Sequence, residues 1–149
     1  MTTQEELAGL FRRDLTRLTQ ELEAFDDDTQ LWKKTDGVSN SAGNLALHLE
    51  GNLREYVGRQ LGNVPYARRR DEEFSRSGVR RQDLVKRLEE VRALVVKAIS
   101  ELSDEALRAP FPERVLGIDW STQQFTLHLL GHLNYHLEDL HEKYLPAIA

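Results

Sequence analysis

The sequence holds five histidines at uneven positions: 48, then 128, 132, 136 and 141. His132 and His136 are four residues apart. On a helix that spacing puts their Cβ atoms on one face, roughly 5–6 Å apart. Two imidazoles so placed converge on one ion with bonds of about 2.0–2.1 Å. His48 is the candidate third donor, from a facing helix. Three neutral nitrogens leave positions on a divalent ion open, as in catalytic rather than structural sites. Imidazole ligation suits Zn, Ni, Fe or Cu. The competing reading is a set of hydrogen-bonded core histidines with no ion.

The remaining polar residues of this constellation are read by their angle on a helix. Four residues turn about 400°, a drift of roughly 40° per step. His128 therefore lies about 80° from His136 and does not join the same ion. It is expected in the bundle interior or at an interface, and His141 is expected to be exposed. Glu50 and Asn52 beside His48, and Asp139 one turn after His136, are candidates to receive ring N–H groups. The simpler reading of Glu50 and Asp139 is as solvated helix-face charges.

Such a site needs helices, and the apolar spacing supplies four. Leu7, Leu10, Phe11, Leu15, Leu18, Leu22 and Phe25 recur at steps of three and four from Thr3 to Phe25. Thr3 and Glu6 match a capping box at its start, and Asp26-Asp27-Asp28 ends it. Leu31 and Trp32 are expected to plug one end of the core, and Asp36-Gly37 is a turn signal. A second helix is predicted from Ser41 to Leu61, with Leu45, His48, Leu49, Asn52, Leu53 and Tyr56 on its inward stripe. Gly62-Asn63 and Pro65 stop it. The stretch to Arg76 reads as a charged loop, and its Arg68-Arg69-Arg70 run as a solvated one. A third helix follows from Val79 to Leu102, on Leu84, Leu88, Val91, Leu94, Val95, Ala98, Ile99 and Leu102. Ser103 opens a short turn, and Pro110 and Pro112 forbid regular helix. The fourth helix starts at Ser121, with Gln124 at the reciprocal capping position. It carries Phe125, His128, Leu129, His132, Leu133, His136 and Leu140, and is closed by Pro146. The fold class is all-α, a four-helix bundle.

Composition bounds what else the chain can do. Its 149 residues fit a single domain over 1–149. An apolar fraction of 40% with 30% charged residues marks an ordinary globular chain. The absence of cysteine removes thiolate ligands and a thiol nucleophile. A net charge of -5 gives no general attraction to nucleic acid or anionic lipid. No stretch has the apolar length of a membrane span, and the acidic N-terminus is followed by no apolar signal segment, so a cytoplasmic location is expected. No phosphate loop or nucleophile elbow is present, and the carboxylate ligands of a di-iron bundle are missing.

Three stretches carry a resemblance. Asn40-Ser41-Ala42-Gly43-Asn44-Leu45-Ala46-Leu47-His48-Leu49 with Gly51-Asn52-Leu53 is similar to the second-helix signature of an uncharacterised bacterial branch of the DinB-like metal-binding bundles. Arg70-Asp71 with Glu73-Phe74 resembles its loop motif. Leu129-Leu130-Gly131-His132-Leu133-Asn134-Tyr135-His136 resembles its fourth-helix motif. The resemblance implies an up-down-down-up bundle with a long crossover between helices two and three, and a homodimer. It places a divalent metal ion, with Zn, Ni or Fe the leading candidates, on His48, His132 and His136. It also implies a metal-dependent transfer of a low-molecular-weight thiol, or hydrolysis, acting on a small electrophilic substrate. A non-catalytic metal-binding or structural dimer is the alternative. One departure stands out: where that branch has Gly-Gln after its last histidine, this chain has Glu138 and Asp139.

Overall fold

The computed structural model describes residues 1–34 and 37–144. Asp36 of the expected turn and Pro146 of the expected terminus lie outside the described residues. Among those residues the chain is all-α, and extended pairing is limited to two isolated bridges, Pro110 with Ser121 and Val115 with Ile118. No described helix is long and apolar enough to cross a membrane.

Helix α1 spans Thr3–Glu23. Its cap is Thr2, not Thr3. The Thr2 hydroxyl accepts from the Glu5 N–H at 3.1 Å, and the Glu5 carboxylate accepts from the Thr2 N–H at 3.0 Å. The run Thr2-Thr3-Gln4-Glu5-Glu6 offers two capping-box frames. In the earlier one Gln4 is buried and donates to the Leu102 carbonyl and to Asp104. The acidic run after α1 does more than stop it, because Asp27 caps the short helix α2, Asp28–Leu31. Leu31 is fully buried and Trp32 lies half-buried behind it, as expected of a core plug.

Helix α3, Ala42–Leu53, begins at Ser41, whose hydroxyl accepts from the Asn44 N–H at 3.1 Å. The inward stripe read from the sequence is too narrow, since all twelve of its residues are buried. The α-helix also ends before the predicted Leu61 and continues as a π-helical turn, Arg54–Arg59. The extra residue of a π turn shifts the register, so Val57 and Gly58 are buried and Tyr56, on the predicted stripe, is only partly so. The crossover then runs over the outer side of α3. It contains a six-residue helix α4, Arg70–Ser75, where the sequence suggests only loop.

Helix α5, Arg81–Ser100, lies along α1 and also meets α3. Ser103 caps the short α6, Asp104–Arg108. Ser121 caps α7, Thr122–Asp139, by accepting from the Gln124 N–H at 3.1 Å. A second π turn, Leu140–Tyr144, extends α7. The core is one apolar cluster that includes Leu137 of α7, and Thr126 of the same helix is also buried, although neither belongs to the predicted stripe.

The α2–α3 corner is tightly packed. A Cβ at Gly43 would stand 2.6 Å from the Trp32 ring, and that ring is tethered by its Nε1–H donating to the Val79 carbonyl at 3.0 Å. Gly43→Ala should therefore destabilise the fold by about 1–3 kcal/mol through overpacking while leaving the helical circular-dichroism signal in place. Urea unfolding checks this, and an unchanged midpoint would show that the indole is free to move.

Candidate metal centre

α7 carries His132 and His136 one turn apart, and α3 brings His48 against them. The ring centroids are 4.7 Å apart for His132–His136, 5.1 Å for His48–His132 and 5.4 Å for His48–His136. Each ring offers one nitrogen to a set whose members lie within 4.8 Å of one another. His48 Nε2 and His132 Nε2 are 3.2 Å apart. Two ligand nitrogens on one tetrahedral ion, with bonds of about 2.05 Å, would stand about 3.3 Å apart. Two lone pairs at that distance repel unless a proton or a cation lies between them.

The surroundings of the rings are unequal. His48 is buried, and its Nδ1 lies 3.0 Å from Glu73 Oε1. Phe74, the next residue, lies with its ring centroid 5.0 Å from that of His48. Arg68 grips the same carboxylate through Nε at 2.9 Å and Nη2 at 3.1 Å. By contrast, His132 Nδ1 and His136 Nδ1 are buried and have no hydrogen-bond partner. A buried polar atom without a partner is a cost that the fold ordinarily avoids. The close approach of Nε2 of His48 to Nε2 of His132, with the His136 ring beside them, fits a divalent cation, and the all-nitrogen donor set suits it.

Electrostatics keep the two α7 rings neutral, the form that binds metal. Burial first, then His136 and His48, push the His132 pKa down to about 3. Burial and then His48 also lower that of His136, against a smaller opposing effect from Asp139. For Glu73, burial acts to raise the pKa, but the hydrogen bonds from His48 and Arg68 and the Arg68 charge outweigh it. The carboxyl is held below its ordinary value.

Several sequence expectations are corrected here. Glu50 is neither solvated nor against the histidines: it is buried in ion pairs with Arg54 at 2.9 Å and Arg87 at 2.7 Å. Asp139 pairs with Lys143 at 3.1 Å, and Asn52 is buried with its Oδ1 unpartnered. None of the three hydrogen-bonds a ring. Arg68 is not part of a solvated run, because it is half-buried on Glu73. His128 is exposed rather than interior, at the rim of the cavity beside His132, with its ring centroid 4.9 Å from Trp120. Its roughly 80° offset carries it past the bundle seam, and the Trp120 indole, held by the Val115 carbonyl, supplies the surface it meets. His141 is exposed as expected, 3.1 Å from Glu21. Glu138 is exposed and accepts from Arg17 at 2.9 Å.

A cavity of about 160 Å³ opens beside His48 and His132. Asn52, Tyr56, Arg68 and Arg70 form its polar side, and Phe125 and Leu129 its apolar side. Among the described residues no carboxylate lines it. The Arg68 guanidinium lies 5.9 Å from the Tyr56 ring centroid.

The pKa direction has a measurable consequence in metal-free protein. A folded-state pKa below the unfolded value of 6.5 means that the unfolded chain takes up a proton that the folded ring refuses. The stability contributed by neutral His132 is complete above the unfolded pKa and is lost as pH falls toward about 3. An NMR titration should show the His132 ring unprotonated down to about pH 4.5, and a protonation step near pH 6 would contradict the closed cluster.

Comparison with known proteins adds one finding. A family model described as the DinB superfamily matches residues 10–140. No curated protein and no solved structure matches the chain.

Proposed function

The chain belongs to the DinB superfamily, and from that premise we propose that it is a metal-dependent enzyme acting on a small electrophile, with His48, His132 and His136 as the metal ligands. The observation that carries this reading is the convergence of three imidazoles, with two ring nitrogens 3.2 Å apart, beside a cavity of small-molecule size. A divalent ion of the Zn, Ni or Fe type, when bound, lowers the pKa of a coordinated thiol or water and so supplies a nucleophile at neutral pH. The chain's own residues do the rest. The α7 pair forms a two-point chelate because the helix fixes its spacing, and His48 makes the third position depend on how α3 packs. Phe125 and Leu129 exclude water from one side of the cavity. Arg70 and Asn52 offer charge and hydrogen bonding to a polar substrate group on the other.

The proposed nucleophile is a low-molecular-weight thiol, with water as the hydrolytic variant. We place the site in a single domain over residues 1–149, four long helices running up-down-down-up with the 60–80 crossover between the second and third. We further propose a homodimer. Leu127 and Tyr135 are exposed apolar residues flanking Gly131 on the outer side of α7, and a Cβ at Gly131 would meet nothing within 4 Å. A second copy would cover that surface, and sedimentation at micromolar concentration tests this: a monomer alone would reject the dimer.

One observation favours the non-catalytic alternative. The carboxylates the sequence places nearest the ligands, Glu50 and Asp139, are both tied in ion pairs, and among the described residues no carboxylate lines the cavity to act as a general base. A thiol-transfer assay across several thiols and one small electrophile separates the readings, since stoichiometric metal without turnover would favour the alternative.

Metal content tests the site directly. His48→Ala, His132→Ala and His136→Ala should each weaken metal binding by more than about 100-fold, beyond the loss typical of residues that only support a ligand. His128→Ala and His141→Ala should stay within about threefold of wild type, as exposed substitutions do. Elemental analysis and chelator competition give the answer. Loss of metal in His128→Ala with retention in His48→Ala would reject the ligand set.

A further inference from the structure

The three imidazoles differ in what holds them. No acceptor faces Nδ1 of His132 or His136, since both atoms lack partners. His48 alone faces a carboxylate, and a carboxylate only accepts, so the 3.0 Å contact with Glu73 requires the His48 proton on Nδ1. Resting on the metal reading above, we propose that Glu73 is the positioning residue of the centre: it fixes Nε2 of His48 as the donor nitrogen and aims it at the α7 pair. The crossover segment, rather than the helix that bears His48, then decides which nitrogen is offered.

Three separate features build this contact. The first is a missing side chain. A Cβ at Gly51 would stand 1.9 Å from Glu73 Oε2 and 2.7 Å from its Cδ. Glycine inside a helix costs about 1 kcal/mol relative to alanine, and the passage of this carboxylate is what position 51 gains from it. The second is Arg68, which occupies both carboxylate oxygens and leaves Oε1 directed at His48 as well. The third acts on the backbone. Asn44, one helical turn before His48, donates through Nδ2 to the carbonyls of Glu73 at 3.0 Å and Arg76 at 2.8 Å. Its Oδ1 in turn accepts from the Ser41 hydroxyl at 2.7 Å. Glu73 is thus held at its carboxylate and at its main chain, both times by reference to α3. Glu50, the other buried carboxylate of this region, shares none of these links with a histidine.

The test compares Glu73→Ala, Glu73→Gln and Gly51→Ala with wild type. It reads three quantities: ring ¹⁵N shifts of His48 in metal-free protein, metal affinity by chelator competition, and stability by urea unfolding. Glu73→Ala should abolish the Nδ1–H preference and weaken metal binding by about 10- to 100-fold, the range for removing a partner behind a ligand. Glu73→Gln keeps an acceptor oxygen, so it should preserve the tautomer and lose less affinity. Should Glu73→Ala fail to fold, Gly51→Ala leaves the carboxylate intact but displaced, and it should lose the Nδ1–H preference in the same way. A His48 that keeps its Nδ1 proton in both Glu73→Ala and Gly51→Ala overturns the proposal. So does an equal loss of affinity in the Gln and Ala variants that merely tracks their stability. If wild type binds no divalent ion, the metal reading falls, and the tautomer measurement still decides whether Glu73 sets His48.

Discussion

The approach of the Glu73 carboxylate to α3 across the gap at Gly51 is the contact on which the centre depends. One helix face must accept a charged group from outside while its other face meets the α7 histidines. Charge burial of this kind is tolerated only when every oxygen is paired, and here His48 and Arg68 pair them. Any side chain at 51 would push the carboxylate away and leave a half-buried guanidinium and a buried ring nitrogen without this partner. The packing of the crossover and the electrostatics of the site are therefore one constraint.

α3 shows how a fold accommodates such a helix. Its twelve residues are all buried, among them Asn44, His48, Glu50 and Asn52. An ordinary surface helix hides one stripe and leaves its polar side to water. α3 instead has α5 and α7 on one side and the crossover on the other, so its polar residues must find protein partners. Asn44 holds the crossover backbone, His48 holds Glu73, and Glu50 takes Arg54 and Arg87. The crossover is long and charged because it serves as the polar cover of a central helix.

This division explains what could be read from the chain alone. The four long helices were legible because leucine and phenylalanine at steps of three and four leave little choice of face, and serine caps mark the starts of α3 and α7. The juxtaposition of His48, His132 and His136 was legible because helical spacing is fixed and both stripes point inward. Glu73 was not. It sits among Arg68, Arg69, Arg70, Asp71 and Glu72, and in such a run nothing local distinguishes an acid that turns inward from its solvated neighbours. Two signals pointed to it: its place in the 70–74 stretch that resembles the family's loop motif, and Gly51, a glycine in the middle of a helix with no turn to make, which asks what approaches it. Glu50 was misread for the mirror reason: a helix-face acid looks solvated until the chain that covers that face is known. The π turns at Arg54–Arg59 and Leu140–Tyr144 escape a periodicity argument altogether.

The tether between Asn44 and the carbonyls of Glu73 and Arg76 bears on the order in which the molecule comes apart. Backbone held by side chains and by a six-residue helix opens at lower free energy than a long packed helix. The segment around Glu73 is therefore an early region to detach, while α1, α5 and α7 remain folded. When it lifts, His48 loses its partner before the bundle loses its core. A ligand held by the three histidines would then meet a route of escape in a local excursion of the crossover, short of global unfolding.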